Sequence, residues 1–439
     1  MNSALLRPST VRVVDLFAGG GGASQGISLA FGRGPDVAIN HDECAIAMHA
    51  ANHPDTEHYR ASVYDVSPLS VCGLTRPRLI HASPDCTHFS RAKGSRPKEK
   101  EIRDLAWVVL DWVEDVGPDV VTLENVPEFV SWGPLDGEGN VVTERKGETF
   151  RAFVEGFKAE GYSVDWKTLV ASDYGAPTKR KRLFLVARRD RQPIVWPEPT
   201  HGPGLLPYRT TAECLDWSIE CPSIFTRKKP LAPATQRRIA AGIKRFVLDR
   251  EPYVVSLPDG SVVSPWLVNT RNGERPGQAP RVRDVREPYL TITAKGSQGA
   301  VAAVWLARHF GQSTGTSVEA PCPTITAGGG GKTSLCAAFL TKFYGTATGI
   351  SIEEPCPTIT SSGQHLGLVV VRLGGIPYYI SDIGMRMLQP RELARCQGFD
   401  DDYVLTGTKT QQIAKIGNSV PPQVVAALVR AQFPRGLEA

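Results

Sequence analysis

The stretch VRVVDLFAGGGG, residues 11–22, decides the fold. Its first half, residues 11–17, is apolar and rich in β-branched residues, so it predicts a short strand. Four successive glycines end the stretch, and a helical pattern follows through Ala30. A strand that turns directly into a helix leaves backbone N–H groups at the helix N-terminus, where a cofactor can approach closely. Strand candidates recur with helices between them, which predicts a parallel sheet covered on both faces: strands at 36–40, 79–82, 119–123 and 183–187, helices at 102–116 and 149–160.

The composition is that of a globular protein. The 439 residues are 41% hydrophobic and 22% charged, with a net charge of +5 that permits nucleic-acid binding without requiring it. No apolar run is long enough to span a membrane, and residues 1–10 lack the layout of a signal peptide. Nine scattered cysteines without a C-x-x-C pair argue against a disulfide framework or a zinc knuckle and favour a cytoplasmic location.

A single cysteine stands in a loop that follows one predicted strand. Residues 82–90, ASPDCTHFS, follow the apolar strand 79–82 and place Cys86 in a turn. A lone cysteine is more often a buried small hydrophobe. The basic run from Arg91 to Arg103, however, would favour the thiolate, which is the nucleophilic form, and would attract polyanions.

Three further polar motifs lie near the ends of predicted elements. Glu124 and Asn125 follow the strand at 119–123, which puts a carboxylate at the edge where open α/β sheets keep their sites. Arg180 and Arg182 share one side of the strand at 183–187, and Asn418 lies in a tight turn before the last helix.

These motifs, in this order, closely resemble those of the cytosine-5 DNA methyltransferase family. The likeness covers roughly residues 11–190 and 385–435, and it includes RELARCQGF at 391–399. It implies an α/β, Rossmann-like S-adenosylmethionine-dependent methyltransferase fold with a mixed, mainly parallel sheet and an inserted β-rich target-recognition domain. The implied domains are 1–196 and 385–439 for catalysis and 197–384 for target recognition.

The resemblance also implies a reaction and its residues. Cys86 would add to a cytosine that is flipped out of double-stranded DNA, and the methyl group would come from S-adenosylmethionine. Glu124 would hold ring nitrogen 3, Asn125 would fix the loop, and Arg182 would grip the base or the surroundings of the thiol. The expected cofactor residues are Phe17, Gly19, Gly22, Asp42, Glu43 and Asn418. We expect a cytoplasmic monomer of a restriction-modification type, without metal or membrane.

The sequence departs from the family pattern near several of these residues. Asp85 and Thr87 flank Cys86 where the family has Pro and Gln, and Thr178 stands where Gln is common. His41 occupies the expected place of the acid that binds the cofactor ribose, so Asp42 or Glu43 would substitute. Ser62 falls where an adenine-binding Asp is common.

The inserted region carries basic clusters and a loose repeat. The clusters lie at 227–229, 237–238, 244–245 and 281–286, and we expect them to contact phosphates. The repeat EPYLTIT at 287–293 recurs as APCPTIT at 320–326 and EPCPTIT at 354–360, which predicts hairpins in a β-rich module.

Other interpretations are weaker. The run GGGGKT at 328–333 lacks the first glycine of a phosphate loop, because Thr326 stands there. The spacing of His49, His53 and His58 disfavours a metal site. A dinucleotide-dependent oxidoreductase, an RNA cytosine-5 methyltransferase and a catalytically inactive DNA-binding protein remain as alternatives.

Overall fold

The computed structural model describes residues 12–84, 105–134, 136, 141–270, 274–294, 299–308, 339–342, 350–351, 366–368, 370–373 and 376–437. The chain divides into two compact units. The first comprises Met1–Cys214, Arg286–Ser297 and Gln389–Ala439, and the second comprises Leu215–Val285 and Gln298–Leu388.

The first unit is built on a seven-stranded sheet with the order β3-β2-β1-β4-β5-β7-β6. Five neighbouring strands are parallel, and β7 runs antiparallel to both β5 and β6. The strand order reverses between β1 and β4, which is where open α/β sheets bind their ligands. The strands are β1 (Val13–Leu16), β2 (Val37–Ile39), β3 (Glu57–Tyr59), β4 (Leu79–Ala82), β5 (Val120–Asn125), β6 (Ser163–Val170) and β7 (Lys181–Arg188).

Helices cover both faces of this sheet, because alternate strand residues are buried on either side. Val13, Leu79 and Val120 belong to one apolar core, and their neighbours Val14, Ile80 and Val121 belong to another. The helices of this unit are α1 (Gly22–Phe31), α2 (Glu43–Asn52), α3 (Pro68–Cys72), α4 (Val108–Val116), α5 (Glu148–Ala159), α7 (Pro390–Gln397), α8 (Lys409–Asn418) and α9 (Pro422–Gln432).

The second unit is mainly antiparallel β-structure with one described α-helix, α6 (Pro233–Ile243). Its larger sheet has the order β10-β9-β11-β16-β15 with β8 paired to β9, and its smaller sheet has the order β13-β12-β14. Trp266, Val304 and Ile380 lie in its core. The strands are β8 (Val255–Ser256), β9 (Val262–Asn269), β10 (Val282–Arg283), β11 (Gly299–Arg308), β12 (Phe339–Lys342), β13 (Ile350–Ser351), β14 (Leu366–Leu368), β15 (Val370–Leu373) and β16 (Ile376–Met387).

The predicted fold class is confirmed. A mixed, mainly parallel sheet carries helices on both faces, and a separate, mainly antiparallel unit is inserted in the sequence of the first unit. The unit boundaries differ from the predicted ones in three segments, of which the shortest, 385–388, lies in the second unit. Residues 197–214 and 286–297 lie in the first unit, where the backbone N–H and the hydroxyl of Thr211 donate to the Glu287 carbonyl at 3.0 and 2.7 Å. The change of composition at Pro197 therefore precedes the change of unit, which falls between Cys214 and Leu215.

The prediction for the first repeat copy, 287–293, is wrong. This segment is not a hairpin strand of the second unit but extended chain in the first. Its Tyr289 carbonyl accepts from Lys179 N at 2.7 Å, and Tyr289 N donates to the Pro177 carbonyl at 2.9 Å. The segment forms a single isolated bridge, between Tyr289 and Thr178, so the alternating pattern predicted a strand that the backbone does not form. The copies at 320–326 and 354–360 and the run at 328–333 lie outside the described residues.

Candidate active site

The carboxyl ends of β1, β4 and β5 meet at one edge of the first unit's sheet. Residues after β1 and β4 are joined directly, because Ser83 N donates to the Leu16 carbonyl at 3.3 Å. Glu124 and Asn125 are the last two residues of β5. The sheet order therefore brings sequence motifs that are about 40 to 65 residues apart to one edge.

Glu124 and Arg182 form a largely buried ion pair at this edge. Arg182 Nε lies 3.0 Å from Glu124 Oε1, and the two side chains are 14% and 8% exposed. The pairing follows from the antiparallel register of β5 and β7, which sets Glu124 opposite Phe184 and Asn125 opposite Leu183. The angle of the contact is not that of a hydrogen bond, so Oε1 accepts none from the described residues. Glu124 thus offers a buried oxygen that can bind a further polar group.

Asn125 holds the start of the loop that carries the predicted nucleophile. Its side-chain nitrogen donates to the Pro84 carbonyl at 3.4 Å, and its side-chain oxygen accepts from Val126 N at 2.8 Å. Asn125 thus fixes the chain at Pro84, and its role in holding the loop that follows stays a prediction. Cys86, together with Asp85 and Thr87, lies outside the described residues.

The second part of the candidate site is the glycine turn, residues 17–22, between β1 and α1. Phe17 has φ +64°, which is uncommon for an aromatic residue and strained, and its ring is half-buried against the core. Gly19 has φ +38°, and among the described residues a Cβ there would meet only the Phe17 carbonyl oxygen, at 3.8 Å. A ligand can approach the backbone at Gly19.

Gly22 is required for internal packing. A Cβ at this position would lie 2.3 Å from the Val420 carbonyl and 2.9 Å from Ser419 Cβ. The glycine thus allows the start of α1 to approach the connection between α8 and α9 closely. The sequence prediction gave Gly22 a cofactor-binding role, and the structure adds this packing reason.

The two acidic cofactor candidates differ sharply in environment. Asp42 caps α2 by accepting from Ala45 N at 3.0 Å, and it forms an ion pair with Lys415 of α8. Burial alone would raise the pKa of Asp42, but hydrogen bonds from Lys415 and Ala45 hold it below its ordinary value. Glu43 is 78% exposed and contacts Arg60 at 3.1 Å. Asp42 is the more firmly positioned of the two.

Asn418 is the exposed last residue of α8, and a buried arginine fixes the chain beside it. Arg180 Nη1 donates to the Gly417 carbonyl at 2.9 Å and to the Ile292 carbonyl at 3.0 Å. A Cβ at Gly417 would lie 2.4 Å from the Thr293 carbonyl carbon. The sequence placed Arg180 beside Arg182, but only the structure shows that Arg180 joins β7 to two distant segments.

Sequence reasoning missed a buried polar chain behind the glycine turn. Ser24 Oγ donates to Asp15 Oδ2 at 2.6 Å, His49 Nε2 lies 2.8 Å from Ser24 Oγ, and His49 Nδ1 lies 2.8 Å from His58 Nε2. The histidines on and after α2 were the available signal for this chain, but their spacing was considered only for a metal site. Within the described ranges, no group of three or more potential ligand side chains has the geometry to hold a metal ion. None of the described helices is long and apolar enough to cross a membrane.

Comparison with known proteins agrees with this geometry. The family model described as C-5 cytosine-specific DNA methylase matches residues 11–211 and 341–433, more than half of the chain. The chain is 29% identical over 199 residues to the type II methyltransferase M.AgeI of Thalassovita gelatinovora, covering 44% of this chain and 43% of that protein. It is 26% identical over 224 residues to the type II methyltransferase M.AquIA of Picosynechococcus sp., covering 46% and 87%.

The match to M.AgeI spans less than half of that relative's own length. Among solved structures, a triple-mutant form of DNMT2 from Spodoptera frugiperda has a TM-score of 0.50 at 14% identity, covering 96% of this chain and 99% of that one. This likeness shows a shared fold.

Proposed function

The chain belongs to the C-5 cytosine-specific DNA methylase family, and we propose on this premise that it methylates carbon 5 of cytosine in DNA. The observation that carries the proposal is the corner formed by Glu124, Arg182 and Asn125. Glu124 has a buried carboxyl oxygen there, and the guanidinium of Arg182 pairs with it. Asn125 contacts Pro84, where the loop that leads to Cys86 begins. We call Glu124, Asn125 and Arg182 together the β5 corner.

The β5 corner suits the chemistry of cytosine. Carbon 5 is a poor nucleophile, so the Cys86 thiolate first forms a bond to carbon 6 and shifts electron density to carbon 5. Glu124 binds ring nitrogen 3 and stabilises the charge that develops there. Carbon 5 then takes the methyl group and loses its proton to a base, and the sulfur–carbon 6 bond breaks to restore the aromatic ring. Carbon 6 is out of reach inside a duplex, so the base must be flipped out.

Arg182 acts through Glu124 and the base. Its Nη1 donates to the Lys181 carbonyl at 2.8 Å while its Nε faces Glu124, so the guanidinium is held at two points. A planar group fixed in this way orients the carboxyl group and presents its remaining N–H donors to a base carbonyl. A lysine cannot reproduce this fork.

We propose S-adenosylmethionine as the methyl donor. The residues present fit such a ligand, because Gly19 leaves open space at the turn and Asp15 Oδ1 is buried without a hydrogen-bond partner in the described chain. Phe17 would contact the adenine, Asp42 or Glu43 the ribose, and Asn418 the pocket from the side of α8. When bound, this donor supplies an electrophilic methyl group; the protein supplies orientation and exclusion of water.

We propose that the second unit reads the DNA. Arg227, Lys228 and Lys229 are exposed on it and are available to phosphates. Both residues of the basic pair at 237–238 were expected to contact phosphates, but they differ in the structure. Arg237 is exposed, whereas Arg238 is buried and forms an ion pair with Glu274. Arg238 is therefore a structural residue, and its charge is not available to DNA.

The proposed setting is a cytoplasmic monomer that methylates double-stranded DNA as part of restriction-modification. Incubation with radiolabelled S-adenosylmethionine and either duplex DNA or transfer RNA, followed by mass mapping of the product, tests the reaction. We expect 5-methylcytosine in DNA from the wild type and none from Cys86→Ala. Methylation of the RNA alone would favour an RNA methyltransferase, and no transfer to either nucleic acid would contradict the proposal.

The role of the exposed basic cluster can be tested by salt dependence. We expect Arg227→Gln, Lys228→Gln and Lys229→Gln together to lower the slope of log K against log salt by up to about 2.7, if each contacts one phosphate. Lys158→Gln, on α5 of the first unit, is a charge-matched control for one position. An unchanged slope in the triple variant would show that these residues do not contact the DNA.

A further inference from the structure

Four side chains form one continuous buried hydrogen-bonded chain from the glycine turn toward the surface. Asp15 is fully buried near the end of β1, and Ser24 is fully buried on α1. His49 on α2 is also fully buried, whereas His58 on β3 is half-buried. The three links measure 2.6, 2.8 and 2.8 Å, in order from Asp15. Each is a normal hydrogen-bond distance.

The direction of every link follows from the first one. The single hydroxyl proton of Ser24 goes to the Asp15 carboxylate, so Ser24 Oγ must accept from His49 Nε2–H. A neutral His49 protonated at Nε2 has an acceptor at Nδ1, so His58 must donate from Nε2–H. All three donors therefore point toward Asp15 when that carboxyl group is ionised.

The surroundings make Asp15 the proton acceptor near neutral pH. Burial raises the pKa of Asp15 to about 7, although the hydrogen bond from Ser24 acts in the opposite direction. The pKa of His49 lies well below its ordinary value, because burial and then the charges of His53 and His58 disfavour its cationic form. A proton taken up by this chain thus resides on the carboxyl group, and His49 stays neutral.

Burial lowers the pKa of His58 itself, although a backbone hydrogen bond to Thr56 acts in the opposite direction. Titratable groups of several neighbouring elements also face the chain. His53 of α2 packs on His49 with ring centroids 4.6 Å apart, and burial lowers its pKa to about 4. His81 of β4 is in register with Asp15, and burial lowers its pKa to about 4 as well. Tyr403 donates to the Gly20 carbonyl at 2.6 Å, and Lys415 is paired with Asp42. The two histidines stay neutral at pH 6–8, the Lys415 charge is matched by Asp42, and the pKa of Tyr403 is raised by burial.

We propose that Asp15, Ser24, His49 and His58 form a proton wire whose polarity reverses when Asp15 takes up a proton, and that the wire links ligand binding at the glycine turn to solvent pH. In the reversed state Asp15 Oδ2–H donates to Ser24, and Ser24 donates to His49 Nε2. His49 Nδ1–H then donates to His58 Nε2, and His58 holds the incoming proton on Nδ1. One proton enters from solvent, every hydrogen bond persists, and neither ring becomes charged.

The link to ligand binding rests on the proposed function. Asp15 precedes the glycine turn and Ser24 follows it, and Asp15 Oδ1 accepts no hydrogen bond from the described residues. A cationic group of the methyl donor near this oxygen favours the ionised carboxyl group. A ligand that binds only the ionised form loses affinity about tenfold for each pH unit below the pKa of Asp15.

The wire itself is tested in the free protein. Long-range ¹H–¹⁵N spectra report the tautomers of His49 and His58, and ¹³C spectra of labelled aspartate report Asp15. We expect both rings to change from Nε2–H to Nδ1–H as the pH falls from about 8 to about 6, in step with the Asp15 signal. Ser24→Ala should uncouple the histidine tautomers from Asp15. Ser28→Ala, whose hydroxyl donates only to the Ser24 backbone carbonyl at 2.9 Å, should leave the coupling intact. Fixed tautomers, or doubly protonated rings over this range, would overturn the wire.

The link to binding is tested by calorimetry with S-adenosylmethionine and S-adenosylhomocysteine at pH 6, 7 and 8, in buffers of different ionisation enthalpy. Because Asp15 is already half protonated at pH 7, we expect the Kd for S-adenosylmethionine to rise about fivefold from pH 7 to pH 6, with proton release on binding. Asp15→Asn should abolish both effects. A Kd independent of pH, with the tautomer change present, would refute the link but not the wire. No binding of either compound at any pH would instead refute the proposed cofactor.

Discussion

The β5 corner and the glycine turn lie at the same sheet edge, yet they are built differently. At the β5 corner, the residues that the motifs single out contact each other directly: Glu124 meets Arg182, and Asn125 meets Pro84. At the glycine turn, contacts come from residues outside the motif, such as Val420 against Gly22. The register of adjacent strands is enough to position a few side chains. The conformation of a turn that several elements cover depends instead on the packing of the whole unit.

This comparison predicts the largest effect for a change at the β5 corner. Glu124→Gln keeps the size of the side chain but removes its ability to ionise and to exchange a proton with the base. We expect the single-turnover methylation rate to fall by ~10²-fold or more, with DNA affinity unchanged. Glu128→Gln, four residues further on, is the matched control and should retain the wild-type rate. A normal rate for Glu124→Gln would mean that this corner is not the catalytic one.

At the glycine turn, the expected effect is on stability. Gly22→Ala places a Cβ 2.3 Å from the Val420 carbonyl, and backbone cannot move away cheaply. We expect a loss of about 3 kcal/mol in the free energy of unfolding, measured by urea titration. Gly20→Ala meets mainly Lys415 Cβ at 3.0 Å and should lose about 1 kcal/mol or less. Equal losses would contradict the packing role of Gly22.

The buried carboxyl group behind the turn predicts a pH-dependent difference. The pKa of Asp15 is raised to about 7 by burial, so between its unfolded value of 3.8 and 7 the folded state holds a proton that the unfolded state lacks. Wild-type stability therefore falls as the pH rises through this window. Relative to Asp15→Asn, the wild type should lose about 2 kcal/mol in its free energy of unfolding between pH 5 and pH 7. Urea unfolding at both pH values measures this, and a constant difference would show that Asp15 is ionised throughout.

The smallest expected effect concerns the pair that anchors Asp42. Its pKa is lowered overall, so it contributes stability above its ordinary pKa of 3.8 that is lost as the pH falls through the folded value. Because Asp42 is 39% exposed, Lys415→Met should cost only about 0.5 kcal/mol at pH 7, and less at pH 4. Lys409→Met on the same helix breaks, among the described residues, only a contact with Gln389 and serves as the control. A larger loss at pH 4 than at pH 7 would reverse the assigned sign.

The sequence predicted those elements whose pattern is local. β4 at Leu79–Ala82 has the predicted bounds, and the helix predicted at 149–160 spans Glu148–Ala159, because apolar runs mark both elements. β6 at Ser163–Val170 was not predicted, since most of its side chains are exposed and its stability comes from pairing with β7.

The site was predictable only in part, for a similar reason. Glu124, Asn125 and Arg182 could be singled out because they lie at strand ends in a recognisable order along the chain. The pairing of Asp42 with Lys415 joins residues 373 positions apart, and Arg180 reaches Gly417 across 237 positions. Nothing in the local sequence around Asp42 or Arg180 specifies such partners.

The central claim, that the β5 corner and the loop after Pro84 perform covalent cytosine chemistry, is tested by trapping on DNA containing 5-fluorocytosine. Fluorine at carbon 5 cannot leave as a proton does, so the sulfur–carbon 6 bond should persist through denaturing electrophoresis. We predict an adduct between wild-type protein and DNA that depends on S-adenosylmethionine, maps to Cys86 by peptide mass and is absent from Cys86→Ala. An adduct of undiminished yield in Cys86→Ala, or none in a wild type that methylates normal DNA, would contradict the account.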